Sequence, residues 1–429
     1  RADFYRDQLE DFDKAEADYT KAITLDSTAF DPYMSRAYFY DVYKKDWNKA
    51  IIDYNRALNI YPDAAIFRNI AIEYNNNEEI EDPIIALEYI NKSIEVDSTY
   101  ASAYLTRANI YSYNFKGDSI NNAIEDYNKM VEIRPDLIDS RAEFYKDYGD
   151  HTGEIKYYEM AIDDYSKKIE LDPSDSYSIF QRGWVYGFNL NKKDLALIDF
   201  NRSNDLNPDS SNINNIGSMF REKGDYQISL EWYDKAIAMD SSSHFPYRNK
   251  GRAYIGMEEY DKALENYNIA LELDSTIALN YNWRGRSYFG TVNRVEYNYR
   301  SELTQDEYLN AERDFSKAIE LWPDSWGVIQ KSDFYDDRAF LYSSAQRYDD
   351  AIEDYKKSNE LSYYHKTLNK IADQFYKKNE LDSALVYYDK AIVEYDNAES
   401  HIGKAKIYQN LDFYEDSLAE FYKVIEINP

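Results

Sequence analysis

From Ser211 to Gly290 the chain reads SNINNIGSMFREKGDYQISLEWYDKAIAMDSSSHFPYRNKGRAYIGMEEYDKALENYNIALELDSTIALNYNWRGRSYFG, and the order of residues in that stretch decides the fold. Gly217, Gly251 and Gly285 stand 34 residues apart. Behind the first two glycines the same kinds of residue recur: an aromatic three on (Phe220, Tyr254), an aromatic nine on (Tyr226, Tyr260), a small residue twelve on (Ser229, Ala263), a tyrosine sixteen on (Tyr233, Tyr267) and an alanine nineteen on (Ala236, Ala270).

Each unit holds two helical patterns. Ser229, Tyr233 and Ala236, like Ala263, Tyr267 and Ala270, are spaced four and then three, which puts each trio on one helix face. Lys223-Gly224-Asp225 and Gly256-Met257-Glu258 break the pattern between the halves, while Asp240-Ser241 and Asp274-Ser275 are suited to stopping one helix and capping the next. Period and residue order resemble the tetratricopeptide repeat, a 34-residue helix-turn-helix unit. That resemblance implies an all-α fold, a right-handed α-solenoid of antiparallel helix pairs without a sheet.

The small-then-aromatic signature of the second helix recurs twelve times: Ala15/Tyr19, Ala50/Tyr54, Ala86/Ile90, Ala123/Tyr127, Ala161/Tyr165, Ala196/Phe200, Ser229/Tyr233, Ala263/Tyr267, Ala311/Phe315, Ala351/Tyr355, Ala384/Tyr388 and Ser417/Phe421. Several units close on proline (Pro62, Pro135, Pro173, Pro208, Pro323, Pro429), which cannot continue a helix. About twelve units in a single array over residues 1–429 are therefore expected, with insertions near 75–82, 113–119, 146–156 and 290–307. The longest insertion carries Arg294, Tyr297, Tyr299 and Arg300, and serves either as a tolerated surface loop or as a partner contact. Arg1-Ala2 matches the Arg-Ala inside the first helix of later units, so the chain reads as starting mid-repeat, with flanking sequence expected at both ends.

Composition narrows the functions. A 429-residue chain exceeds one compact core, but a solenoid adds a small core with every repeat. Forty-six tyrosines suit many shallow seams between helices. Formal charge is 50 − 80 = −30, a field that repels nucleic acid and anionic lipid surfaces. No apolar run approaches the ~18–20 residues that cross a bilayer, and no cysteine is present to form a disulfide, a zinc finger or a thiol nucleophile. Four histidines (His151, His244, His365, His401) fall in different units and read as lone and exposed. There is no phosphate-binding glycine loop and no His-Glu-x-x-His. No catalytic residue, metal or cofactor is expected.

Arginine recurs just before the small residue of the first helix, where the resemblance leads one to expect leucine: Arg1, Arg36, Arg107, Arg141, Arg182, Arg284 and Arg338. In each of those units aspartate stands just before the aromatic of the second helix: Asp18, Asp53, Asp126, Asp164, Asp199, Asp314 and Asp354. Units with Ile216, Lys250, Ile371 and Lys404 carry Trp232, Asn266, Tyr387 and Glu420 instead. The separations vary (17 for Arg36 and Asp53, 30 for Arg284 and Asp314), so the pairing must be made between packed helices and reads as a structural ion pair.

What remains on the first helices is the residue after the small one, together with those four before and three after. In tetratricopeptide proteins that stripe looks into the concave groove. It gives Phe180, Trp184 and Gly187, flanked by Tyr177 and Phe188; then Asn214, Ser218 and Arg221; Arg248, Arg252 and Ile255; and Asn282, Arg286 and Phe289. Elsewhere the stripe is acidic or neutral, as at Asp139 and Glu143 or Asp336 and Phe340. The expected site is an aromatic shelf and a basic floor for an extended peptide or helix bearing acidic groups or a terminal carboxylate. It resembles the carboxylate clamp of chaperone-binding tetratricopeptide domains, although their lysine and asparagine order is not reproduced. The competing reading pairs these arginines with nearby acids and uses the aromatics to close seams. By resemblance the function is a non-catalytic protein-interaction scaffold. A permanent subunit of a larger assembly, and a repeat region serving an enzymatic domain elsewhere in a longer protein, are the alternatives.

Overall fold

The computed structural model describes residues 1–76, 80–112, 119–289, 303–323, 328–362 and 365–428. Among them are 24 α-helices and no strand, and each first helix packs on the second helix that follows it. The chain divides into two compact units, Arg1–Leu206 and Asn207–Pro429. Nothing in the repeat period marks that boundary.

The reason these segments pair lies in the small-then-aromatic signature. All twelve small residues are buried, and so is every aromatic or isoleucine partner except Phe421, which is half-buried. The glycines of the opening stretch show why small residues are required on the facing helix. A Cβ on Gly251 would stand 2.8 Å from the Tyr267 ring, and one on Gly217 would stand 2.8 Å from Tyr233. Each tyrosine ring thus lies flat against the backbone of its partner helix, in an interior that leaves little space to spare.

Aspartates organise the turns between units, though not in the manner the sequence suggested. Asp240 and Asp274 end their helices, but their carboxylates accept from the backbone N–H and hydroxyl of Ser242 and Thr276, two residues on, and not from the next helix. Asp26, Asp97 and Asp172 make the same turn with Thr28, Thr99 and Ser174. Other aspartates do cap: Asp11, Asp46, Asp82, Asp175 and Asp209 accept from the first-turn amides of the helices they precede.

The insertion near 146–156 extends a helix where a loop was expected. Ile138–Thr152 runs through Gly149 and stops at Gly153, whose φ of 72° is the left-handed C-cap conformation. Of the other insertions, residues 77–79, 113–118 and 290–302 lie outside the described residues, Arg294, Tyr297, Tyr299 and Arg300 among them, as does Pro429. Two first helices also depart from the expected α-pattern by widening: Phe39–Lys44 and Val185–Asn189 are π-helical turns.

All seven arginine–aspartate pairs form. Arg36, Arg107, Arg141, Arg182, Arg284 and Arg338 each grip their aspartate through Nε and Nη2 at 2.6–2.9 Å, and Arg1 binds Asp18 in the same two-pronged way. A third contact was not anticipated. Except for Arg1, each Nη1 donates backward to a polar side chain on the preceding second helix: Thr20, Asn91, Asn128, Ser166, Asn268 and Ser316 respectively. Every such arginine is therefore a staple joining two consecutive helix pairs. In the unit of Lys404 a lysine takes over, reaching Glu420 at 3.0 Å and Asp389 on the preceding second helix at 2.8 Å.

Candidate peptide-binding face

The proposed shelf belongs to the first unit and the proposed floor to the second. In the shelf, helix Ser176–Trp184 and the π-turn after it carry a run of rings: Phe180 lies 6.1 Å from Trp184, and Trp184 lies 4.4 Å from Phe188. Phe180 also packs on buried Phe200, so it closes the seam beneath the run. Phe188 and Tyr177 are exposed, and the Tyr177 hydroxyl donates to Glu143. Phe188 and Trp184 thus offer an apolar surface, while Phe180 and Tyr177 are partly committed to the fold.

The floor arises from three consecutive first helices, Ser210–Lys223, His244–Gly256 and Ala278–Phe289. Its outer member is already occupied. Arg286 makes a two-pronged contact with Asp337 at 2.9 and 3.0 Å, and Asn282 donates to the same carboxylate at 2.8 Å. These two residues close a seam, as the competing reading holds. Asp337, the residue after the acidic position singled out in the sequence, was missed. Asn214 is likewise buried within the packing: its side-chain oxygen accepts from Asn249 at 3.0 Å, and Asn249 and the Tyr233 hydroxyl both point to Ser218 Oγ.

Arg221, Arg248 and Arg252 differ. Among the described residues, Glu222 is the only carboxylate within 4 Å of any of them, at 2.7 Å from Arg221 and 3.9 Å from Arg252. Arg248 has no ion pair among the described residues, and its guanidinium lies 5.1 Å over Phe245. Arg252 lies 4.6 Å over Trp283, which Arg286 shares at 4.7 Å. The Arg221 side chain is only 10% exposed and that of Arg252 28%, and the Nε of each is buried without a hydrogen-bond partner among the described residues. Tyr267 is completely buried, and its hydroxyl also has no hydrogen-bond partner among the described residues.

The electrostatics agree with that geometry for Arg248 and Arg252, whereas Arg221 is raised above its ordinary value: burial lowers it, but Tyr233, through charge and a hydrogen bond, and Glu222 more than offset that. Burial first, then the positive charge of Arg221, pulls Arg252 down to about 10, and burial pulls Arg248 below the usual arginine range. Both remain charged at neutral pH, but the direction of the shift signals a site short of negative charge. Burial also pushes the Tyr267 phenol up, against the opposing charges of Arg252, Arg221, Arg248 and Arg286. Tyr267 was read from the sequence as a packing residue alone, and Trp283 was not singled out there. Nothing in a repeat pattern announces that a core hydroxyl or indole will face a charged cluster.

Two histidines depart from the expectation that they are lone and exposed, while His151 is exposed, its ring stacked on Tyr148. His244 is buried against Asn280 and Phe245. His401 is buried with Nε2 2.7 Å from Asp396 and Nδ1 against Glu420. The His365 side chain lies outside the described residues. No group of three or more metal-ligating side chains occurs among the described residues, and none of their helices is long and apolar enough to cross a membrane.

A family model described as the tetratricopeptide repeat matches residues 1–28, 211–243 and 247–277. A tetratricopeptide repeat protein from Parabacteroides merdae is similar in structure at 18% identity, over 60% of this chain and 94% of that one, with a TM-score of 0.42. Yeast Tom70 is similar at 15% identity over 92% and 91% of the two chains, with a TM-score of 0.42. A monomeric mutant of IFIT1 with Gppp-AAAA is similar at 13% identity over 93% and 90%, with a TM-score of 0.50. At such identities these likenesses concern the fold. No curated protein matches the chain in sequence.

Proposed function

The chain belongs to the tetratricopeptide repeat family, and from that premise we propose that it is a non-catalytic protein-interaction scaffold whose first helices hold an acidic segment of a partner. The observation that carries this reading is the set of three half-buried arginines, Arg221, Arg248 and Arg252, with a single carboxylate within 4 Å of them among the described residues. A fold gains nothing by leaving buried cations short of counter-charge, so their presence is better explained by a ligand than by stability. Arg286 and Asn282 border the cluster with their own aspartate already in place, and Trp283 supplies an apolar wall. On the first unit, Trp184 and Phe188, with Tyr177 and Phe180 at their edge, are proposed as an apolar anchor for the same class of partner. A net charge of −30 disfavours a nucleic-acid backbone, because every further phosphate meets an acidic surface.

The test is quantitative capture of partners on the parent chain and on Arg248→Glu/Arg252→Glu, with helical content checked by circular dichroism. Loss of stoichiometric partners in a variant that stays folded supports the reading. Undiminished capture removes these residues from the site.

A further inference from the structure

We infer that the Arg221–Arg248–Arg252 cluster takes a doubly charged phosphate monoester, carried on a side chain of the protein partner, in preference to a carboxylate. The inference rests on the scaffold reading above and specifies the group that the site receives.

Charge comes first. Among the described residues, three guanidinium groups and the one carboxylate of Glu222 leave two positive charges uncompensated. A carboxylate brings one negative charge, whereas a phosphate monoester brings close to two at neutral pH, its second ionisation lying near ~6. The dianion therefore neutralises the cluster, and a carboxylate leaves it half-neutralised. Within a partly buried site that residual charge is poorly screened by solvent.

The donors come second. Buried hydrogen-bonding groups are rarely left without partners, yet three such groups border this cluster: Nε of Arg221, Nε of Arg252 and the hydroxyl of Tyr267. They come from three helices, Ser210–Lys223, His244–Gly256 and Tyr260–Leu273. Gly251 admits the Tyr267 ring against its backbone, which fixes where that hydroxyl lies. A carboxylate presents two oxygens in one plane. A phosphate monoester presents three terminal oxygens directed apart, which suits donors arriving from separate helices.

The rest of the protein sets the limit. Its charge of −30 repels a polyanion, but repulsion between exposed charges fades beyond a Debye length of about 8 Å at physiological salt. One phosphate on an otherwise unremarkable peptide is accepted where a phosphodiester chain is not.

The test is calorimetric titration of the whole chain at constant ionic strength. The probes are sodium phosphate, sodium acetate, and two degenerate nonapeptide mixtures differing only in a central phosphoserine or glutamate. Phosphate is expected to bind about ten-fold more tightly than acetate, and the phosphoserine mixture about ten-fold more tightly than the glutamate mixture. Phosphoserine affinity should rise as pH increases through ~6. Arg248→Met and Arg252→Met should each abolish the preference with helical content unchanged, and Arg252→Lys should retain part of it. If glutamate and phosphoserine bind alike, and both lose affinity in the arginine variants, the phosphate inference is overturned while the acidic-partner reading stands. Binding of free phosphate without binding of the phosphoserine mixture overturns the partner-borne source. No anion-dependent heat with any probe overturns the inference outright, and the capture experiment then judges the scaffold reading separately.

Discussion

Two sets of arginines sit on the first helices of this protein, and they have opposite surroundings. Arg36, Arg107, Arg141 and Arg182, in the first unit, each hold an aspartate with two prongs and a polar side chain of the preceding pair with a third. Arg221, Arg248 and Arg252, in the second unit, are comparably sheltered, but Glu222 reaches only Arg221 and Arg252, and among the described residues Arg248 has no carboxylate within 4 Å. A buried charge whose donors are all matched belongs to the architecture. One whose donors are unmatched costs stability while free, and binding can return that cost.

The largest effect that would test this contrast is Asp126→Ala. It leaves Arg107 sheltered without its counter-charge and should cost about 3–5 kcal/mol in chemical denaturation. A loss well under that range would show that the pairs are incidental. The acidic counterpart of the unmatched arginines is Glu73, which burial, and then the neighbouring carboxylate of Asp41, push up to about 7. An unfolded glutamate titrates near ~4.3. The folded chain therefore holds an extra proton between those values, and the stability this group confers is complete below ~4.3 and is lost as pH rises towards 7. Glu73→Gln should accordingly stabilise the chain at pH 7.5, by on the order of 1 kcal/mol once its half-exposed position is discounted, and leave it unchanged at pH 4. Equal effects at both pH values would remove Glu73 from the comparison.

Smaller effects sharpen the point. Replacing both members of one staple, Arg107→Met with Asp126→Leu, should return stability to within about 1 kcal/mol of the parent, since the pair's desolvation cost disappears along with its attraction. Arg248→Met, which removes an arginine with no ion pair, should leave the melting temperature unchanged or slightly raised, corresponding to under about 1 kcal/mol. A clear drop would mean that Arg248 serves the fold after all.

How much of this could be read beforehand follows from what a repeat makes visible. The helix pairs, the Ala15/Tyr19-type contacts and the Arg36–Asp53-type pairs were legible because the same requirement is written many times over. Within one chain, recurrence does the work of an alignment. The third prong of the staples was not legible, because its acceptor changes from Thr20 to Asn91 to Ser166 with no fixed residue type. The site was legible in part. A stripe drawn along single helices singled out Arg221, Arg248 and Arg252, but a helix-by-helix reading cannot see that Arg286 meets Asp337 on the next pair or that Tyr267 lies within reach of the arginines' charge. Those relations depend on how neighbouring pairs stack, which the period does not specify. The π-turn at Val185–Asn189 and the helix running through Gly149 are local choices of the backbone that composition leaves open.

The staples have a consequence for how the array moves. Repeat arrays behave like one-dimensional chains in which each element couples only to its neighbours, and here the backward prong of each arginine is part of that coupling. The helix pairs that bear Arg221, Arg248 and Arg252 have Ile216 with Trp232 and Lys250 with Asn266 at the staple positions, so that stretch lacks the two-pronged arginine grip and keeps at those positions only the backward contact of Lys250 with Asp234. Amide hydrogen exchange should therefore show opening that stops at stapled pairs and starts most readily between Ser210 and Leu273. A ligand held by Arg221 on one pair and by Arg248 and Arg252 on the next would supply the missing latch itself, so that occupancy of a single small site lengthens the cooperative block of the solenoid.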